Sequence, residues 1–187
     1  MSASVDLSGH FLMAMPGMVE GDLAGSVIYV CEHSDRGALG LVINRPIDLS
    51  LSNLLEKVEL EHGHIKDEDL PVYFGGPVQT DRGFVLHKPA GQYSSSLHLG
   101  ETLALTTSRD VLQAVASGEG PEKILVTLGY AGWGAGQLEQ ELAQNAWLSV
   151  PAQESIIFET PAESRYPAAI RLLGFDPAML TGSAGHA

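Results

Sequence analysis

Residues 26–33, SVIYVCEH, form an almost unbroken apolar run rich in β-branched side chains, and no other stretch narrows the fold so far. Such a run reads as a strand covered on both faces, because a half-exposed strand would alternate apolar with polar. SDRG at 34–37 turns the chain, and ALGLVINRP at 38–46 returns until Pro46, which cannot donate to a ladder. With Gly37 at positive φ as a bulge residue, Ser34 pairs with Ala38. Cys31 then falls opposite Leu41, Glu32 opposite Gly40 and Ile28 opposite Asn44. The same hairpin holds the one tempting catalytic combination, Cys31-Glu32-His33 with Asn44 and Arg45. In this register Cys31 and His33 share one face while Glu32 and Asn44 share the other. A Cys–His–Asn relay needs all three side chains within hydrogen-bond reach. Cys31 is therefore expected to be a buried small hydrophobe, and His33 a strand-end residue near solvent.

Around this hairpin the chain changes periodicity several times. HFLMAM at 10–15 reads as a short strand stopped by Pro16-Gly17. Leu51, Leu54, Leu55 and Val58 recur at helical spacing behind Ser50 as N-cap, and 61–71 is a polar connection. PVYFGGPV at 71–78 is a strand broken or bulged at Gly75-Gly76-Pro77. TDRG at 80–83 repeats the first turn almost residue for residue and is expected to close a second hairpin with FVLHK. ETLALTT at 101–107 is a strand, and a helix follows, with Thr107 and Asp110 as a capping box and Gly118 as its stop. EKILVTLGY at 122–130 is a strand leading into the glycine loop AGWGAG, then the acidic helix QLEQELAQN. ESIIFET at 154–160 reads as a strand, and 161–174 as a helix with Pro161 near its start and Gly174 at its end. FDPAML adds a turn of helix, and 181–187 is a loose tail. Early hairpins and a lack of strict alternation predict α+β with a mixed sheet.

The 187 residues fit one domain, since no linker or charge block divides them. Twenty-three acids against 10 bases give a net charge of -13, and no two bases are adjacent. Phosphate neutralisation supplies most of the affinity for duplexes, so direct nucleic-acid binding is disfavoured, as is an anionic membrane surface. A single cysteine cannot form an internal disulfide, and no apolar stretch approaches membrane-spanning length. The cytoplasm is the expected location.

Other chemistry finds little support. His62-Gly63-His64 has no second pair at ligand spacing, so no metal site is expected. No G-x-S-x-G elbow anchors a serine triad, and residues 94–96, SSS, read as loop. Gly129, Gly132, Gly134 and Gly136 lie between strand and helix, where backbone N–H groups can face an anion. Their spacing is not that of a dinucleotide fingerprint, and no Walker lysine is present. Two readings stay open. The glycines permit a sharp turn that lets Trp133 pack, or they join Asn44, Arg45, Gly75 and Gly76 in one cleft for a nucleotide or phosphorylated metabolite.

GALGLVINRP, VYFGGPV and LGYAGWGAGQLEQEL followed by NAW, with MAMPGM upstream, closely resemble the YqgE/AlgH family of small bacterial proteins over about residues 10–180. The resemblance implies a single α+β domain with β-hairpins, a split or barrel-like sheet surrounded by helices, and a cytosolic location. It implies no activity, and the AlgH name reflects a proposed role in regulating alginate genes. Asn44, Arg45, Gly75, Gly76, Gly132, Trp133, Gly134 and Gly136 sit in its motifs and form the candidate binding set. No catalytic residue, cofactor or metal is expected. The function expected is that of a non-enzymatic binder of a small molecule or protein partner, with any effect on transcription indirect.

Overall fold

The computed structural model describes residues 6–174. Its organising element is β9 (Lys123–Gly134), because three other strands pair with it. Ile124, Leu125 and Val126 are buried, so this half of β9 is covered on both faces. The antiparallel ladder with β6 (Val78–Lys88) runs from Lys123↔Lys88 to Tyr130↔Val78. On its other edge β9 takes β5 (Pro71–Phe74) in parallel at Thr127 and Leu128, then β3 (Gly37–Val42) antiparallel from Ala131 to Gly134. Beyond β3 lie β2 (Val27–Ser34), β1 (His10–Ala14) and β10 (Trp147–Pro151). Beyond β6 lie β8 (Leu103–Thr106) and β7 (Ser96–Leu99), and β4 (Pro46–Ser50) pairs with β5. The product is one mixed, mostly antiparallel sheet of ten strands, curled into a half-barrel within a single α+β domain.

Helices cover both faces. Against one face α4 (Glu154–Phe158) and α5 (Ala162–Arg171) close a core of Phe11, Tyr29, Leu41, Tyr73, Leu86 and Leu125. The opposite face is covered in two halves, by α3 (Gln137–Ala143) over Ile28, Val42 and Trp133, and by α1 (Leu51–Lys57) with α2 (Arg109–Ala116) over Val72, Val85 and Val126. Ser50 caps α1 as expected, accepting a hydrogen bond from the Asn53 N–H.

Regular alternation could not produce these faces. Ile124 and Val126 belong to the α1/α2 half, whereas Ala131 and Trp133 belong to the α3 half of the same face, so the side-chain phase inverts between them. The inversion falls at Gly129, whose φ of 81° favours glycine and where a Cβ would strike the Gly76 carbonyl. Opposite it, residues 79–82 of β6 leave the ladder, which resumes at Gly83↔Leu128. TDRG is therefore a bulge inside one long strand and not a second hairpin turn.

Four further expectations change. SDRG closes its hairpin with Ser34 paired to Gly37, and the irregularity falls at Cys31, between Val30↔Gly40 and Glu32↔Leu39. Residues 131–134 of the expected glycine loop are strand, bonded to β3. Residues 154–158 form α4 where a strand was expected, because Ile156 and Ile157 turn into the core while Glu154 and Glu159 hold Lys88 and Lys123. Ser108, not Thr107, is the N-cap of α2. The expected last helical turn and tail lie outside the described residues.

Arg165 of α5 locks this arrangement. It is only 6% exposed, yet no described carboxylate pairs with it. Its guanidinium donates to the carbonyls of Ile43 and Thr160 and stacks 4.9 Å from the Tyr73 ring centroid. The planar fork thus ties the end of β3, the α4–α5 turn and β5 together. Arg165→Ala is expected to lower unfolding free energy by about 3 kcal/mol in urea titrations. Arg165→Lys is expected to recover less than about half, since an ammonium cannot reproduce fork and stack together.

Candidate functional site

The polar groups of the first hairpin are dispersed and engaged. The bulge at Cys31 places His33 opposite Ala38, on the α3 side, whereas Cys31 packs in the α4/α5 core. His33 is 6% exposed, which corrects the expected position near solvent. The Leu7 N–H donates to its Nδ1 at 3.0 Å, so Nε2 carries the hydrogen and donates to Glu139 at 3.2 Å. Asn44 accepts from the Val27 N–H and donates to the Gly25 carbonyl, each at 3.0 Å, which pins the entry to β2. Arg45 donates to the Asp22 carbonyl and lies 5.8 Å from the Phe74 ring centroid. Burial pushes the Cys31 thiol far above its ordinary value, with the neighbouring Glu32 charge adding to the effect.

The glycines expected to cradle a ligand meet each other instead. A Cβ on Gly75 would strike the Gly129 carbonyl and the Thr127 side chain, and one on Gly76 would overlap the Tyr130 backbone. The Gly75 N–H donates to the Leu128 carbonyl at 2.8 Å, and its own carbonyl accepts from Val42 at 2.8 Å. Asn44–Arg45, Gly75–Gly76 and the start of the 129–136 segment do come together, but as packed backbone and not as a cleft.

A hollow of about 370 Å³ opens farther along, where the β2–β3 hairpin crosses the end of β9. Tyr130, Gly132 and Trp133 line one side, Glu32, Arg36 and Leu39 the other, with Val78 beside them. Gly132 and Trp133 are thus the candidate residues that reach a groove; Asn44, Arg45, Gly75 and Gly76 do not line it. Gly134 donates to Gln137 Oε1 at 2.9 Å, and Gly136 is the N-cap of α3. One guanidinium, one carboxylate, one phenol and the Ser34 hydroxyl surround an apolar strip, and no thiol or imidazole of the described residues lines it.

Behind the groove, α3 supplies a residue not anticipated from sequence. Glu141 Oε1 accepts from the indole N–H of both Trp133, at 3.0 Å, and Trp147, at 2.9 Å. Gln137 donates to its other oxygen at 3.1 Å, and the two indoles meet edge to face at 6.0 Å. The i, i+4 spacing of Gln137 and Glu141 was visible in QLEQEL, but its link to Trp147 was not. This network holds the groove wall in place.

Two outcomes follow from these placements. Native Cys31 should resist a thiol reagent at neutral pH and react within the dead time once the protein is unfolded; rapid native labelling would contradict a buried thiol. Gly76→Ala should destabilise by about 3 kcal/mol or more without any ligand present, because backbone cannot yield as a side-chain end does. Unchanged thermal unfolding would refute that packing.

The comparisons with known proteins agree with this fold. A family model described as AlgH-like matches residues 11–178. A UPF0301 protein of Bordetella petrii is 70% identical over 98% of this chain and 91% of its own length. Another, from Cupriavidus metallidurans, is 59% identical over 99% and 97%. The solution structure of the AlgH protein from Pseudomonas aeruginosa superposes with a TM-score of 0.80 at 51% identity, covering 100% of this chain and 99% of that one. A Corynebacterium diphtheriae protein at 22% identity shares the fold, with a TM-score of 0.66 over 91% and 89% of the two chains. Sequence, motifs and half-barrel together place this chain in the AlgH-like family.

Proposed function

We propose that this chain is a non-enzymatic binding protein that acts in the cytoplasm through the groove of Tyr130, Gly132 and Trp133. Its ligand is a small molecule or a segment of a partner protein, and any influence on transcription passes through that partner. One observation carries the reading. The groove collects side chains suited to recognition, the Tyr130 phenol with Arg36 and Glu32 facing it, and its one aliphatic hydroxyl, on Ser34, accepts from the Arg36 N–H beside it. The net charge of -13 supports an indirect route to genes, because few cations are available to displace counterions from DNA.

An enzyme acting on a nucleotide or phosphorylated metabolite is the rival reading. Its cleft requires Arg45, Gly75-Gly76 and the 129–136 segment, where the Gly75 and Gly134 N–H groups bond within the protein and one nitrogen of Arg45 donates to the Asp22 carbonyl. Arg36 leaves a phosphate-bearing ligand possible in the groove itself, as something bound and not transformed.

A thermal-shift screen of metabolites against wild type and Gly132→Leu tests the proposal. A Cβ at Gly132 meets only the Tyr130 ring edge, at 3.2 Å, and Val78, so a side chain there fills the groove while the fold stands. A true ligand at about a hundredfold its Kd should stabilise wild type by about 2.7 kcal/mol, or about 5–10 °C. The variant should lose that shift. Equal shifts in both proteins would overturn the proposal, and a flat response across the panel would overturn its small-molecule form.

A further inference from the structure

A second hollow, of about 220 Å³, lies on the α1/α2 side of the sheet, apart from the groove. Val58 at the end of α1, Val85 of β6 and Leu112 of α2 give it an apolar floor, and Thr107 and Ser108 bring polar groups to its edge. The one charged residue lining it is Arg109. One terminal nitrogen of Arg109 donates to the Val58 carbonyl at 2.6 Å, which anchors the guanidinium along one edge. No carboxylate pairs with it among the described residues. The adjacent Asp110 is occupied, accepting from the Ser94 N–H and hydroxyl and from the Ser108 hydroxyl.

The wall is preformed by a buried polar chain. His87 Nδ1 lies 3.0 Å from the Pro89 carbonyl, which can only accept, so Nδ1 carries the hydrogen. Nε2 therefore accepts from the Thr106 hydroxyl at 2.6 Å, and Thr106 accepts from Ser96 at 2.6 Å. Burial holds the imidazole below its ordinary value, which keeps this direction fixed. Thr106 also lines the hollow.

We propose that this hollow binds a small amphipathic carboxylate, its short apolar tail on Val58, Val85 and Leu112 and its head on the open side of the Arg109 fork. The guanidinium geometry matches a carboxylate, and its charge has no acidic partner among the described residues of a protein rich in acids. The volume lies below the roughly 300–1,000 Å³ of drug-sized sites, which limits the tail to a few carbons.

Gly83 provides a clean block. It lines the hollow, and a Cβ there would meet nothing within 4 Å, so a larger side chain enters empty space without disturbing the ladder. The test is a titration of the full ¹⁵N-labelled chain with hexanoate and, separately, with hexanol, followed by amide shifts. Hexanoate should move Gly83, Thr107 and Leu112, and hexanol should bind at least about tenfold more weakly. Arg109→Gln should bring hexanoate down to the level of hexanol, and Gly83→Leu should abolish both while leaving the dispersed spectrum intact. Equal binding of acid and alcohol, persistence in Gly83→Leu, or no shift up to about 10 mM would each overturn the proposal. Shifts at Gly132 or Trp133 instead would locate the ligand in the groove, so this site and the one proposed above stand or fall separately.

Discussion

Two stretches of backbone pass closer than side chains allow where Gly75–Gly76 meets Thr127, Gly129 and Tyr130. Much of the fold depends on that passage. It lets β5 lie parallel to β9 and still hand the chain directly to β6 on the opposite edge. It also coincides with the phase inversion of β9, which gives both halves of one sheet face an apolar surface. Without the inversion, one of the two helical layers, α3 or α1 with α2, would face the wrong side chains. Glycines here are what the packing requires, and a Cβ at either Gly75 or Gly76 opposes it.

The same contact bears on function. Backbone N–H groups that resemble an anion cradle in the sequence are committed to ladder bonds, and the nearby Arg45 is committed to a carbonyl and a ring. Recognition chemistry is displaced to the end of β9, where Gly132 keeps the floor open and Trp133 is held by Glu141. One strand thus serves as structural spine at its start and as a groove wall at its end.

Local signals exposed part of this. The apolar hairpin at 26–46, the Ser50 cap, α2 and α5 were legible because burial, capping and periodicity agree there. The register of the hairpin was not, since nothing local distinguishes a turn bulge at Gly37 from a strand bulge at Cys31. α4 hid because SIIF carries β-branched residues without helical spacing, and its helix is set by long-range contacts through Glu154 and Glu159. Short strands β4, β7 and β10 hid because they are largely half-exposed and mix polar with apolar residues, unlike the equally short but more buried β1, β5 and β8. Of the candidate set, Gly132 and Trp133 reach the groove. Glu141, which secures Trp133, could be connected to Trp147 only by folding the chain.

The pairing of β1 with β10 has a consequence for synthesis. Phe11 meets Val150 across the sheet, so β1 leaves the ribosome long before one of its two partners is made. Until then its apolar edge can dock on β2 but offers the other side to any passing chain. Closing so distant a pair is slow by loop entropy, which lengthens the time that edge stays unpaired.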